Sequence, residues 1–221
     1  MNEQSTIIRS RATTPRAAAI AGILFSILLI TSLVLIRISI PPNLQESGTW
    51  IDRKGNLVNL ALNLVPFAGI AFLWFIGVVR DRLGSNEDRF FSTVFLGSGL
   101  LFLAMMFSSA AVAGGLISLY DLTSGTGINP NVYTLARTTT YEYMNVFAMK
   151  MAGVFMVSTC TLSLRTGITP RWMAVVGLVL ALFLLLSMGF FSWAAIVFPL
   201  FVLMISVHIL RENLKVQKAE A

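Results

Sequence analysis

YEYMNVFAMKMAGVFMVSTCTLSL, from Tyr141 to Leu164, decides the fold. It is apolar or weakly polar throughout, apart from Glu142 at one end and a single charge, Lys150, inside. A run of about 20 apolar residues spans the hydrocarbon core of a bilayer. The stretch therefore reads as a transmembrane helix with a lysine set among apolar neighbours. Lys150 lies nine residues from Tyr141, roughly 13 Å deep at about 1.5 Å per residue.

The rest of the chain has the same character. Of 221 residues, 56% are hydrophobic and only 12% charged, with a mean hydropathy of +0.80. Soluble domains carry about 25% charged residues, so the chain is built for lipid. Its net charge of +6 resembles that of nucleic-acid binders, but the basic residues sit at the ends of apolar runs. That distribution marks membrane topology and argues against a nucleic-acid partner. One cysteine, Cys160, and one histidine, His208, exclude an internal disulfide, a bis-histidine haem and a multi-histidine metal centre.

Six apolar runs predict an all-α, polytopic transmembrane bundle of six helices, at about 17–36, 57–79, 91–119, 141–164, 172–190 and 192–210. Residues 1–16 form a polar N-terminal segment, residues 17–210 the membrane domain, and residues 211–221 a charged tail. Segments 37–56 and 120–140 read as polar loops, because Pro41, Pro42, Gly48 and Gly55, then Gly125, Gly127 and Pro130, are breaker residues. Ser85 with Asp88 fits a capping box ahead of the third helix. Thr169-Pro170 marks the start of the fifth. Pro66 and Pro199 fall inside the second and sixth helices, where each removes a backbone hydrogen bond.

Six spans place both termini on one side. With that side cytoplasmic, the inner segments hold Arg9, Arg11, Arg16, Arg80, Arg82, Arg89, Arg165, Arg171, Arg211, Lys215 and Lys218. The outer segments hold only Arg37, Arg53, Lys54 and Arg137. Positive charge collects on the cytoplasmic face of membrane proteins, so the termini are expected inside.

Small residues recur where helices should touch. Ala18 with Gly22, Ala110 with Gly114, and Ala111 with Gly115 have small-xxx-small spacing, which permits close backbone approach. The third helix is thereby expected near the bundle centre. Asn56, Asn59 and Asn63 share one face of the second helix. Depth matching sets Asn59 and Asn63 within reach of Lys150. Tyr143 lies one heptad before Lys150 and Glu142 at the outer lip. Together these predict an outer-facing ligand-binding pocket of Lys150, Tyr143, Asn59, Asn63 and Glu142, suited to a small anionic or carbonyl-bearing solute or a lipid headgroup. A lysine at the centre of a transmembrane helix costs roughly 2.5–3.5 kcal/mol on insertion scales, which makes it a functional marker. The bland alternatives are snorkelling of Lys150 to the interface and helix-joining bonds by the asparagines. Tyr120, Tyr133, Tyr141, Tyr143, Trp50 and Trp193 read as an interfacial aromatic belt.

Nothing points to catalysis. Ser108 and Ser109 lie in the outer half of the third helix and His208 at the inner end of the sixth, too far apart in depth for a dyad. Cys160 and His208 share the inner level, but a lone membrane cysteine is usually a packing residue. The chain is accordingly expected to be no enzyme and to carry no metal or cofactor. It would bind or pass a small solute, ion or lipid. Alternatively it is a structural or accessory subunit whose small-residue faces meet another copy or a membrane-complex partner.

The segments FLWFIGVVRDRLG, EDRFFSTVFLGSGLLF and MNVFAMKMAGVFMVSTCTLSLRTGITPRW resemble a group of uncharacterised bacterial multipass membrane proteins. The likeness covers helices two to five. It implies a bacterial inner-membrane location and brings no reaction or cofactor.

Overall fold

The structure is a computed structural model that describes the backbone of residues 3–41, 50–83, 89–123, 128–167, 169–186 and 193–220. Side chains are described over 16–41, 50–80, 92–123, 128–167, 169–186 and 193–215. The described residues are all-helical: α1 (Glu3–Ser39), α2 (Trp50–Leu83), α3 (Arg89–Leu122), α4 (Pro130–Glu142), a π-helical segment (Tyr143–Ala148), α5 (Met149–Thr166), α6 (Arg171–Leu186), a 3₁₀ turn (Ala194–Ile196) and α7 (Val197–Glu220).

Five rods are long and apolar enough to cross a membrane: Arg16–Ser39, Trp50–Arg80, Ser92–Leu122, Pro130–Thr166 and Ala194–Lys215. The remaining expected span corresponds to α6, which is apolar but has 16 residues. That is about 24 Å of helix against a hydrocarbon core of about 30 Å. Residues 187–190, expected to complete it, lie outside the described residues, as do Ser85 and Asp88 of the expected capping box.

Helices begin earlier than their apolar runs. Residues 50–56 already belong to α2, and all of 130–140 to α4, so neither segment is wholly loop. The Asn129 side chain accepts the backbone N–H of Asn131 at 2.9 Å, with Pro130 at the first helical position. An Asx cap followed by proline starts helices, because proline lacks only an N–H that would have no partner there. Pro199 has a similar place, in the first turn of α7 rather than midway along it. It costs little in that position. Pro66 lies inside α2, whose helix continues through it. At the other end of the rod, Gly167 closes α5 with φ +70°, and its N–H bonds the Ser163 carbonyl at 2.9 Å. That left-handed cap favours glycine.

Packing contacts run α1–α2–α3–α5–α6–α7 and return to α1, the α6–α7 seam being slight. The middle of this ring is filled by phenylalanines, one from each of five helices: Phe25, Phe72, Phe102, Phe155 and Phe198, all essentially fully buried. Phe72 touches the other four at centroid separations of 4.5 Å (Phe25), 5.2 Å (Phe155), 5.6 Å (Phe102) and 5.6 Å (Phe198). Lipid tails are as apolar as these rings, so association rests on close packing rather than on expulsion of water. Tilted and edge-to-face pairs add about 0.5–1.5 kcal/mol each.

Close backbone approach occurs at other glycines than Gly114 and Gly115. A β-carbon on Gly22 would lie 2.0 Å from Ser206 Oγ and 2.8 Å from the Phe75 ring. One on Gly177 would lie 2.4 Å from Cys160 Sγ and 2.6 Å from the Phe201 ring. Ala18 is fully buried, so the Ala18/Gly22 pair is a true packing seam. By contrast, a β-carbon on Gly115 would meet nothing within 4 Å, and one on Gly114 only Leu62 at 4.0 Å. Ala111 is exposed and Ala110 half-buried. Ala110 packs against the core, but the expectation that Ala110, Ala111, Gly114 and Gly115 together form a helix-packing face is corrected: the stripe of Ala111, Gly114 and Gly115 lies at the rim. Of the five long rods, that of α3 is the least buried, 33% of its most apolar window, and Pro130–Thr166 the most, at 61%.

Candidate functional site

One end of the bundle gathers the C-terminus of α1, the start of α2, the end of α3, α4 and the 3₁₀ turn. It has a small core of its own, built from Trp50, Ile51, Val58, Leu116, Ile117, Tyr120 and Tyr133. Trp50 Nε1 donates to the Tyr133 hydroxyl at 2.8 Å, and Tyr120 donates to Asp52 Oδ2 at 2.8 Å. Arg137 reaches from α4 to donate to the Pro41 carbonyl and, at 3.4 Å, to Tyr133. Trp50, Tyr120 and Tyr133 are therefore buried struts of a polar cap, which corrects their assignment to an interfacial belt. Tyr141 and Trp193 remain exposed.

Lys150 and the four residues expected around it are not gathered into one pocket. Asn63 Nδ2 donates to the Asn59 carbonyl at 2.9 Å and to Asn59 Oδ1 at 3.2 Å, on an exposed face of α2. Asn59 lines a polar groove of about 240 Å³ with Asp52, Arg53, Asn56 and Asp121. In the ring of contacts α3 stands between that part of α2 and α5. The π segment removes the heptad relation of Tyr143 to Lys150, since an i→i+5 turn holds one extra residue and rotates the helix beyond it by about 100°. Tyr143 is half-buried against Phe147, at 6.3 Å between ring centroids, and Glu142 is exposed. Lys150 is half-buried, with no hydrogen bond or ion pair among the described residues, and it does not line the polar groove beside Asn59. Cys160 packs against Gly177 and Phe201, while His208 is half-buried on α7. Among the described residues no group of three or more His, Cys, Asp or Glu could hold a metal ion.

A substantial cavity among the described residues lies elsewhere, between the end of α1, the α4–π junction and the 3₁₀ turn. It measures about 380 Å³ and is lined by Leu33, Ile36, Arg37, Ile40, Pro41, Arg137, Thr140, Tyr141, Met144, Asn145, Trp193, Ala195 and Ile196. Local sequence explains its walls. Pro41 stops α1 just after Arg37, because proline cannot extend the ladder. The widened π turn re-aims Met144 and Asn145, as such insertions do at functional sites. The carbonyl of Thr140 takes a bond from Ser109 Oγ of α3 at 2.9 Å. Thr140 Oγ1 is buried with no hydrogen-bond partner.

Among the described residues the lining is chiefly apolar, with two guanidinium groups and no carboxylate. Arg37 and Arg137 enter the sequence pattern only as charges on one side of the bilayer. Their convergence needs α1 to stop at Pro41 and α4 to begin at Pro130, and only the second event has a local signature, Asn129-Pro130. No protein family model, no curated protein and no solved structure matches the chain.

Proposed function

We propose that the protein is a non-catalytic multipass protein of the bacterial inner membrane, with both termini cytoplasmic. Its cavity beside Arg37 and Arg137 takes the anionic end of an amphiphile, a lipid or lipid-like solute, from the outer side. The observation that carries this reading is the lining, which among the described residues is an apolar wall with two guanidinium groups and no acid in about 380 Å³. Ligand sites typically hold about 300–1,000 Å³, with few polar groups fixing orientation. Arginine suits carboxylate and phosphate oxygens through its planar fork. The excess of Arg and Lys on the opposite side supports an outer position. Binding is favoured over passage, because the phenylalanine ring closes the middle of the bundle.

The accessory-subunit reading draws on one observation, the half-buried Lys150 without a counter-charge among the described residues. A partner helix bearing a carboxylate would satisfy it.

Native mass spectrometry of protein released from its membrane tests the amphiphile reading. An adduct of amphiphile mass is expected. It should vanish in Ala195→Trp and in Ile36→Trp, each of which fills the cavity, while thermal unfolding in detergent stays cooperative. Full retention of the adduct in both folded variants would sink the proposal, and co-purification of a stoichiometric partner lost on Lys150→Met would support the alternative.

A further inference from the structure

We infer that α5 presents a docking seam for one transmembrane helix of a different protein, a helix that carries a single Asp or Glu opposite Lys150. The seam is separate from the cavity beside Arg37 and does not rest on what that cavity holds.

Geometry supplies the first ground. Ten of the 18 residues of α5 are buried, and the rod that contains it is the most buried of the five, at 61% of its most apolar window. Along its uncovered side runs a narrow stripe, with Lys150, Val154, Val157 and Thr161 half-buried and Leu164 exposed. The steps are four, three, four and three residues. A stripe of that spacing and width is the seam by which one helix seats against another. Val157 also packs against the core, which holds the seam in place.

Chemistry separates this face from one turned only to lipid. Thr161 Oγ1 donates to the Val157 carbonyl at 2.8 Å and is satisfied within its own helix. Lys150 has no hydrogen bond or ion pair among the described residues. It stands nine residues from Tyr141 and 15 from Arg165, well inside the apolar rod, and the turn before it carries Val146 and Phe147. Ionisable groups within membrane spans pair with one another or with backbone carbonyls.

This chain offers no carboxylate at that depth. Each of its ten Asp and Glu residues lies outside the five long rods or in a terminal turn of one, Glu142 excepted. In a parallel pair of copies the two lysines would face each other. Glu142, eight residues earlier, would lie about 12 Å along the axis, directed further away because helical side chains lean towards the N-terminus. Charge therefore argues against a second copy and asks for a foreign helix with an acid at the level of Lys150. One polar pair in an apolar seam also fixes register and partner.

The test is photo-crosslinking of the full chain in the membrane of the cell that makes it. Benzoylphenylalanine is placed at Val154, at Val157 and, as a lipid-facing control, at Val179 of α6, which is 63% exposed. One protein should be trapped from both seam positions and not from Val179. The deciding measurement is a double-mutant cycle. Lys150→Met should lower the adduct yield at least about 10-fold, and so should changing the partner's membrane Asp or Glu to Leu. The two changes together should restore it, since two apolar groups can replace a buried pair. Cooperative thermal unfolding in detergent checks that Lys150→Met folds. Lys150→Glu with the partner's acid changed to Lys should restore the adduct by exchange of charge.

Adducts to lipid alone, an adduct to a second copy, a partner without a membrane Asp or Glu, or equal yields from Lys150 and Lys150→Met would each overturn the inference. None of these outcomes touches the cavity, whose occupant is read by mass.

Discussion

The middle of the bundle and the end that carries α4 solve the same packing problem with opposite chemistry. In the middle, Phe25, Phe72, Phe102, Phe155 and Phe198 meet ring against ring. At the α4 end, directed bonds join the elements: Trp50 to Tyr133, Tyr120 to Asp52, and Arg137 to the Pro41 carbonyl. Dispersion contacts are many and individually small, so the centre tolerates no change of shape but specifies no ligand. Directed bonds are few, and each leaves lone pairs or protons over. The open Arg37 and the unpaired Thr140 hydroxyl are such leftovers, and they fall at the cap.

Breaking the centre should have the largest effect. Phe72→Ala removes the ring that touches four others and is expected to cost about 3–5 kcal/mol, read as a lowered unfolding midpoint in detergent. If the loss were below that of any cap variant, the contrast between the two regions would fail. Overpacking comes next. Gly177→Val must displace the Cys160 thiol and the Phe201 ring, for about 1–3 kcal/mol. Gly115→Val, with open space around it, should leave the midpoint nearly unchanged. Equal losses at both glycines would restore the rim of α3 to the packing core.

At the cap the expected losses are smaller. Tyr133→Phe deletes the oxygen that accepts from both Trp50 and Arg137, and each bond contributes about 0.5–1.5 kcal/mol. A decrease in amphiphile binding should accompany it, because Arg137 loses part of its anchor. An unchanged binding constant would separate the cap from the cavity. The smallest effect is expected from Lys150→Met: no change in cavity binding, since Lys150 does not line the cavity. Abolished binding in a folded Lys150→Met protein would return the site to the position first suggested by the sequence.

Sequence periodicity and composition reveal the apolar rods well, because hydropathy is a property of each segment alone. Tyr141–Leu164 does belong to the most buried rod. What sequence hides is set by distant contacts. The π segment has no local signature, as an i→i+5 turn is chosen by what packs against it. Trp50 and Tyr133 are 83 residues apart, so their bond could not be anticipated, and both looked like interfacial aromatics. Small-residue spacing named two kinds of seam and could not tell them apart. Ala18/Gly22 found a neighbour in α7, and Ala111/Gly115 found none. Arg37 was visible only as a topology marker, since its cavity is completed by α4 and the 3₁₀ turn.

The closed ring of phenylalanines has an electrical meaning. Around it, hydroxyls turn back onto their own helices: Ser26 to Gly22, Ser98 to Val94, Ser158 to Val154 and Thr159 to Phe155. These four hydroxyl protons are committed to their own helices rather than to a path across the aromatic centre. Moving one charge across a membrane at 100 mV involves about 2.3 kcal/mol, a gradient that cells must not short-circuit. On the proposed reading, the aromatic centre separates a charged guest at one face from the other side of the membrane.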